Sequence, residues 1–153
     1  MIRLLLRLLS WLIGLITGPD ELRDFQPGFD TPEGAVLMLE AAYRAKDIEA
    51  AVTCKDFDGE AKVMLRDKAL EMSGDPEIVR RTAEVLELAY RTELAQTGFP
   101  NLEGVTSRFR DRYEDLPDFA TIREECTYPD GTTSRQRINV RRTDAGWRVL
   151  NAW

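Results

Sequence analysis

Asp111 and Glu124 are the two side chains whose placement suggests acid–base chemistry. Both fall in stretches of alternating apolar and polar residues, and in that phase both point toward the apolar face of one sheet. A carboxyl on such a face loses hydration, which raises its pKa toward the range where a proton is held and exchanged near neutrality. Asp111 stands between Arg110 and Arg112, so a solvated ion pair competes with that role. Tyr43, Tyr90, Trp147 and Trp153 are spaced to line a cavity, although packing in the core is the simpler reading of aromatics at helical and strand intervals. Cys54 followed by Lys55 could carry a lowered thiol pKa, against which stands a purely structural corner.

Absences narrow the chemistry further. The sequence has no histidine, which removes the usual neutral-pH base, the Ser-His and Cys-His dyads and imidazole metal ligands together. The two cysteines, Cys54 and Cys126, lie too far apart for a CxxC pair or a metal knuckle and are expected as buried free thiols. No glycine-rich phosphate loop, nucleophile elbow or acidic metal loop is present, so no cofactor, metal or catalytic residue is assigned. The net charge is −6 over 153 residues, against a general nucleic-acid binder, which needs clustered excess Lys and Arg. Residues 18–100 carry 10 Lys/Arg and 18 Asp/Glu, whereas residues 101–153 carry nine of each. The acidic field belongs to the first two-thirds.

The elements that must position these groups are well punctuated. Thr31-Pro32-Glu33 combines an N-cap hydroxyl, a proline at the first helical position and an acid facing the helix dipole. The helix it opens runs to about Ala45, with Val36, Leu39 and Tyr43 inward. The "AKD" corner stops it, and Asp47 caps a short helix from Ile48 to about Val52. A third helix is expected from about Gly59 to Met72 with Ala61, Met64, Leu65, Ala69 and Met72 inward. A fourth runs from Pro76 to about Gln96 behind Ile78, Thr82, Val85, Leu86 and Ala89. After "TGFPN" the period changes to two, and four strands follow, joined largely by hairpins. Val105, Phe109 and Tyr113, then Ile138 and Val140, then Trp147 and Val149 define an apolar sheet face, with arginines on the other. The helices must cover the first face.

Residues 1–17, "MIRLLLRLLSWLIGLIT", draw a narrow polar stripe of Arg3, Arg7, Ser10 and Gly14 down an otherwise apolar helix. Three readings stay open: an interfacial membrane helix, a helix docked on the domain or a second subunit, and an export signal with a poor cleavage site. The expected location is cytoplasmic, with membrane association or self-association through this segment. Residues 18–29 read as a linker and residues 30–153 as a single α+β domain.

The capped first helix, the "AKD" corner, the short "IEAAV" helix and the closing hairpin "VRRTDAGWRVLNAW" resemble the cone-shaped fold of nuclear transport factor 2 (NTF2) and the ketosteroid isomerases. The resemblance covers residues 30–153 and implies N-terminal helices packed on a curved C-terminal antiparallel sheet of about four strands. "TPEGAV", "AAYRAKDIEAAVTCKDF" and "EAKVML" are similar to bacterial NTF2-fold immunity proteins, which neutralise a toxin encoded beside them. That likeness implies a non-enzymatic protein whose partner is a cognate toxin. Asp56, Asp58 and Glu60, on the acidic helices, are the residues expected to meet it. The alternative is a small-molecule binder or an isomerase- or cyclase-type enzyme using the cone's cavity, lined by Tyr43, Tyr90, Asp111, Glu124 and Trp147. No Tyr and Asp oxyanion pair of the isomerase kind is recognisable.

Overall fold

The computed structural model describes residues 21–150. The expectations for residues 1–17, for the start of the linker and for Trp153 lie outside the described residues. Four helices, α1 (Pro32–Ala45), α2 (Ile48–Thr53), α3 (Phe57–Lys68) and α4 (Pro76–Thr97), precede four strands, β1 (Thr106–Asp115), β2 (Phe119–Thr127), β3 (Thr133–Thr143) and β4 (Gly146–Val149). The strands form one antiparallel meander in the order β1-β2-β3-β4. This is the α+β plan of helices on a curved sheet that the sequence implies.

Each helix starts where its capping residue dictates. Thr31 accepts from the Gly34 amide, Asp47 from Ala50, Asp56 from Gly59 and Asp75 from Glu77 and Ile78. The corner after α1 is real: Lys46 sits in the left-handed region at φ 54° and its N–H reaches Tyr43 O at 3.1 Å. α3 begins two residues earlier than expected and ends at Lys68, because Ala69 leaves the helical region and a short 3₁₀ turn, Leu70–Met72, follows. Met72, expected inward, is therefore exposed.

The main core joins α1 to the sheet through Ala35, Val36, Phe109, Ala120, Ile122, Ile138, Val140, Trp147 and Val149. The phases of β3 and β4 are as the alternation requires, with Val140 opposite Val149 and arginines turned away. α3 and α4 form a second core of Phe57, Ala61, Leu65, Val79 and Ala83. Because α4 packs on α2 and α3, its buried line runs through Val79, Ala83 and Leu94, and Val85, expected inward, is exposed.

Two segments depart from the expected layout. β1 bulges between Arg110, opposite Arg123, and Glu114, opposite Thr121. Past the bulge Tyr113 is exposed, with the Arg137 guanidinium 3.9 Å from its ring centre. Arg112 meanwhile reaches Glu33 on α1, with bonds of 2.8 and 3.0 Å to a carboxylate that is 1% exposed. The described part of the linker also belongs to the domain. Arg23 bridges Phe109 in main-chain pairing, Phe25 meets Phe109 edge-on at 5.7 Å, and Phe29 O accepts from Trp147 N at 2.8 Å.

A chain truncated at Phe29 therefore loses part of the sheet edge and the core. Phe25→Ala is expected to destabilise by more than the ~0.5–1.5 kcal/mol of an aromatic pair and by less than the ~3–5 kcal/mol of a fully buried phenylalanine. Urea melts of the full chain and the variant measure it; identical midpoints would show that the segment is only a linker. Asp47→Ala should cost about 1 kcal/mol in the same assay.

Candidate functional site

Between α1, the inner sheet face and the α2–α3 corner lies a cavity of about 360 Å³, within the range of small-ligand pockets. α1 contributes Val36, Leu39, Glu40 and Tyr43, whose spacings of three and four put them on one face. β2 contributes Glu124 and Cys126, and β3 contributes Ser134, Gln136 and Ile138, each two residues apart and so on the same sheet face. Val105, Val149 and Leu150 complete an apolar wall, with Pro100, Leu102 and Tyr128 also lining it.

The polar end is built around Glu124, which is 2% exposed. Gln136 donates to its Oε2; Oε1 is buried and receives no donor in good geometry as a carboxylate oxygen, but the protonated carboxyl lies close enough to Glu40 to share a hydrogen bond with it. Opposite it, Glu40 accepts from the Ser107 hydroxyl and pairs with Arg44 at 3.2 Å. Ser107 Oγ in turn lies 3.6 Å from Cys126 Sγ. Burial is the first cause and the neighbouring Glu40 the second in pushing the Glu124 pKa up to about 7. Burial and the Glu124 charge raise the Cys126 thiol as well.

Six carboxyl side chains are buried among the described residues: Glu33, Glu40, Asp56, Glu60, Glu124 and Glu125. Five have cations, respectively Arg112, Arg44, Arg141, Lys55, and for Glu125 both Arg110 and Arg135. Glu124 alone of these six has no ion pair among the described residues. Donor atoms of Glu40, Glu124 and Cys126 lie within 4.8 Å of one another, a set that could hold a divalent cation. The thiol and the Glu124 carboxyl both favour protons near neutrality, so a cation would have to displace them.

Tyr43 and Tyr90 line another part of the wall and share a hydroxyl–hydroxyl bond of 2.7 Å. Burial lifts both phenols above their ordinary pKa. Lys55 Nζ lies 5.6 Å from the Tyr90 ring centre and 2.5 Å from Glu60 Oε1. Burial depresses its pKa while Glu60 opposes the shift.

Of the expected cavity residues, Tyr43, Tyr90 and Glu124 line the cavity. Asp111 does not: the β1 bulge leaves it exposed and paired with Arg23 at 2.6 Å. Trp147 packs in the main core and is not a lining residue. The three carboxylates expected to meet a toxin also separate. Asp58 is exposed, but Asp56 caps α3 and pairs with Arg141 at 2.5 Å, and Glu60 is buried against Lys55. Cys54 is a structural thiol, its pKa raised by burial to about 11. Glu40, Gln136, Ser107 and Cys126 were not expected at the site. Glu40 had a signal, being a carboxylate between Leu39 and Tyr43 on the inward stripe of α1.

No family model and no curated protein matches the chain. Among solved structures it is similar to an NTF2-like transpeptidase from Campylobacter jejuni, at 12% identity and a TM-score of 0.41, over 80% of this chain and 99% of that one. It is also similar to a ketosteroid isomerase-like protein from Erwinia carotovora atroseptica, at 16% identity and a TM-score of 0.34, over 82% and 92% of the two chains. The activities in those names belong to those proteins.

Glu124 makes a signed prediction. Its pKa is higher folded than unfolded, so the folded state binds the extra proton between the ordinary glutamate range and about pH 7. Its contribution to stability is present below that window and is lost as pH rises through 7. Glu124→Gln should remove this component, seen as a smaller fall in stability between pH 5 and 8 in urea melts. An unchanged slope would place the titration elsewhere.

Proposed function

We propose that this is a ligand-binding domain whose cone takes a small, mainly apolar molecule, with Glu124 and Glu40 receiving its polar end. The observation that supports this most strongly is Glu124: a buried carboxyl beside a second acid, Glu40, with no ion pair among the described residues, on the wall of a cavity lined elsewhere by apolar and aromatic groups. Apolar walls supply affinity, and a few convergent polar atoms fix orientation. We read the role as binding and not turnover. Of the hydroxyls near the apolar body, those of Tyr43 and Tyr90 are engaged with each other.

Neutralisation of a toxin by surface contact is the second reading. Two of the three expected carboxylates, Asp56 and Glu60, are internal, so it rests on Asp58 and on α4, where Val85 and Leu88 are each 65% exposed. Co-purification with the neighbouring gene product, abolished by Val85→Glu with Leu88→Glu, would support it, and capture that ignores both changes would remove it.

The cavity reading is tested by filling the cavity. Leu39→Trp should retain a cooperative melt and lose the thermal shifts that small aromatic alcohols, ketones and amines give the unaltered protein. Shifts of equal size in both proteins, or none in either, would overturn the reading.

A further inference from the structure

We propose that the ligand is a small amine, bound as its ammonium between Glu124 and Glu40 with its apolar body along Val36, Leu39 and Ile138. This rests on the cavity reading above and names the chemical class that the site selects.

The polar end is rich in acceptors. From α1 it is faced by Glu40 and Arg44, from β1 by Ser107, from β2 by Cys126 beside Glu124, and from β3 by Gln136. The cation among these, Arg44, is directed to Glu40 and to the carbonyls of Leu102 and Val105. Lys55 also lines the cavity, but its ammonium is held by Glu60 beside the Tyr90 ring. Two carboxylates thus face one guanidinium.

In the free site a proton links Glu124 to Glu40, and an ammonium can take its place with a full positive charge. An ammonium carries three donors and no acceptor, which suits Glu124 Oε1, a Glu40 oxygen and the Ser107 hydroxyl. A neutral carbonyl ligand would take the Glu124 proton away from Glu40 and bring no charge in its place, leaving the two acids without a shared hydrogen bond. A carboxylate ligand would add a third negative charge to the cluster.

The proton count follows. Below about pH 7 the free site holds a proton on Glu124, and the ammonium replaces it, releasing one proton to solvent. Affinity for the amine should therefore rise about tenfold per pH unit up to that point and then level off. It should fall again only where the amine itself loses its proton, near ~10 as for lysine.

The experiment uses the full chain and three probes of similar shape: 2-phenylethylamine, 2-phenylethanol and 4-phenyl-2-butanone, titrated calorimetrically from pH 5.5 to 8. The expected result is amine binding at least tenfold tighter than the alcohol at pH 8, with the advantage shrinking toward pH 5.5. In Glu124→Gln the pH slope should vanish and amine and alcohol should bind within twofold of each other. Should that variant fail to fold, the pH series on the unaltered protein and proton release measured in two buffers decide the matter. Alcohol or ketone binding as tightly as amine at pH 8, or a slope that survives Glu124→Gln, would overturn the amine assignment. If such neutral binding is lost in Leu39→Trp, the cavity reading stands without it. No binding of any probe would overturn both.

Discussion

The helical layer is held to the sheet by two main-chain hydrogen bonds at Val149. Its N–H donates to Cys54 O at 2.8 Å, and its carbonyl accepts from Asp56 N at 3.0 Å. On its other side Val149 pairs with Val140 in β3, so the corner after α2 continues the hydrogen-bonding pattern past β4. A corner placed there cannot be repositioned without orphaning backbone groups in the core. Its side chains are committed accordingly. Asp56 caps α3 and meets Arg141 across the sheet edge, Cys54 fills the core, and Lys55 turns inward to Glu60. The punctuation of residues 45–60 therefore serves assembly, and two of its acids, Asp56 and Glu60, are spent inside the fold.

That commitment shapes the cavity. α1 covers the sheet on one side, and α3 and α4 pack mainly on each other, as the separate core clusters show. The space between α1, the corner and the curved strands is left to side chains with polar ends, namely Glu40, Tyr43, Lys55, Glu124 and Gln136. Apolar residues of suitable size would have closed it, and packed interiors tolerate few voids.

Local rules of the chain were legible wherever a decision is made by neighbours in sequence. Thr31, Asp47 and Asp75 cap the helices they precede, and the alternation of Ile138, Val140, Trp147 and Val149 sets the core face of β3 and β4. Decisions made by distant partners were not legible. Asp111 is two residues past Phe109, so alternation alone places both on one face; the bulge that moves Asp111 outward goes with Arg112 reaching Glu33 and Arg23 pairing alongside. The buried line of α4 depends on which helices it touches, and its apolar residues Val79, Val85, Leu86 and Leu88 circle much of its surface, so the sequence admits several lines. Glu124 is legible because it interrupts an apolar face. Glu40 is not, because a single glutamate on a capped helix resembles a solvated residue until its place beside Ser107 is known.

The buried carboxyls of this molecule contrast with one another. Glu33, Asp56 and Glu60 are buried, yet each has a cation at 2.8 Å or less, which offsets the desolvation of the carboxylate. Glu125 has two arginines. The fold thus has ample arginine and the geometry to supply it, including Arg110, Arg123 and Arg137 in one row across the outer sheet face. Glu124 lies on the inner face of the same strands and has neutral neighbours, Gln136 and Ser107, and the acid Glu40 in place of a cation. An apolar residue there would remove the cost of burying a carboxyl, and an arginine opposite would offset it. Neither is present among the described residues, and Glu124 lines the cavity. Under the proposed reading, a bound molecule supplies that compensation at the cavity wall.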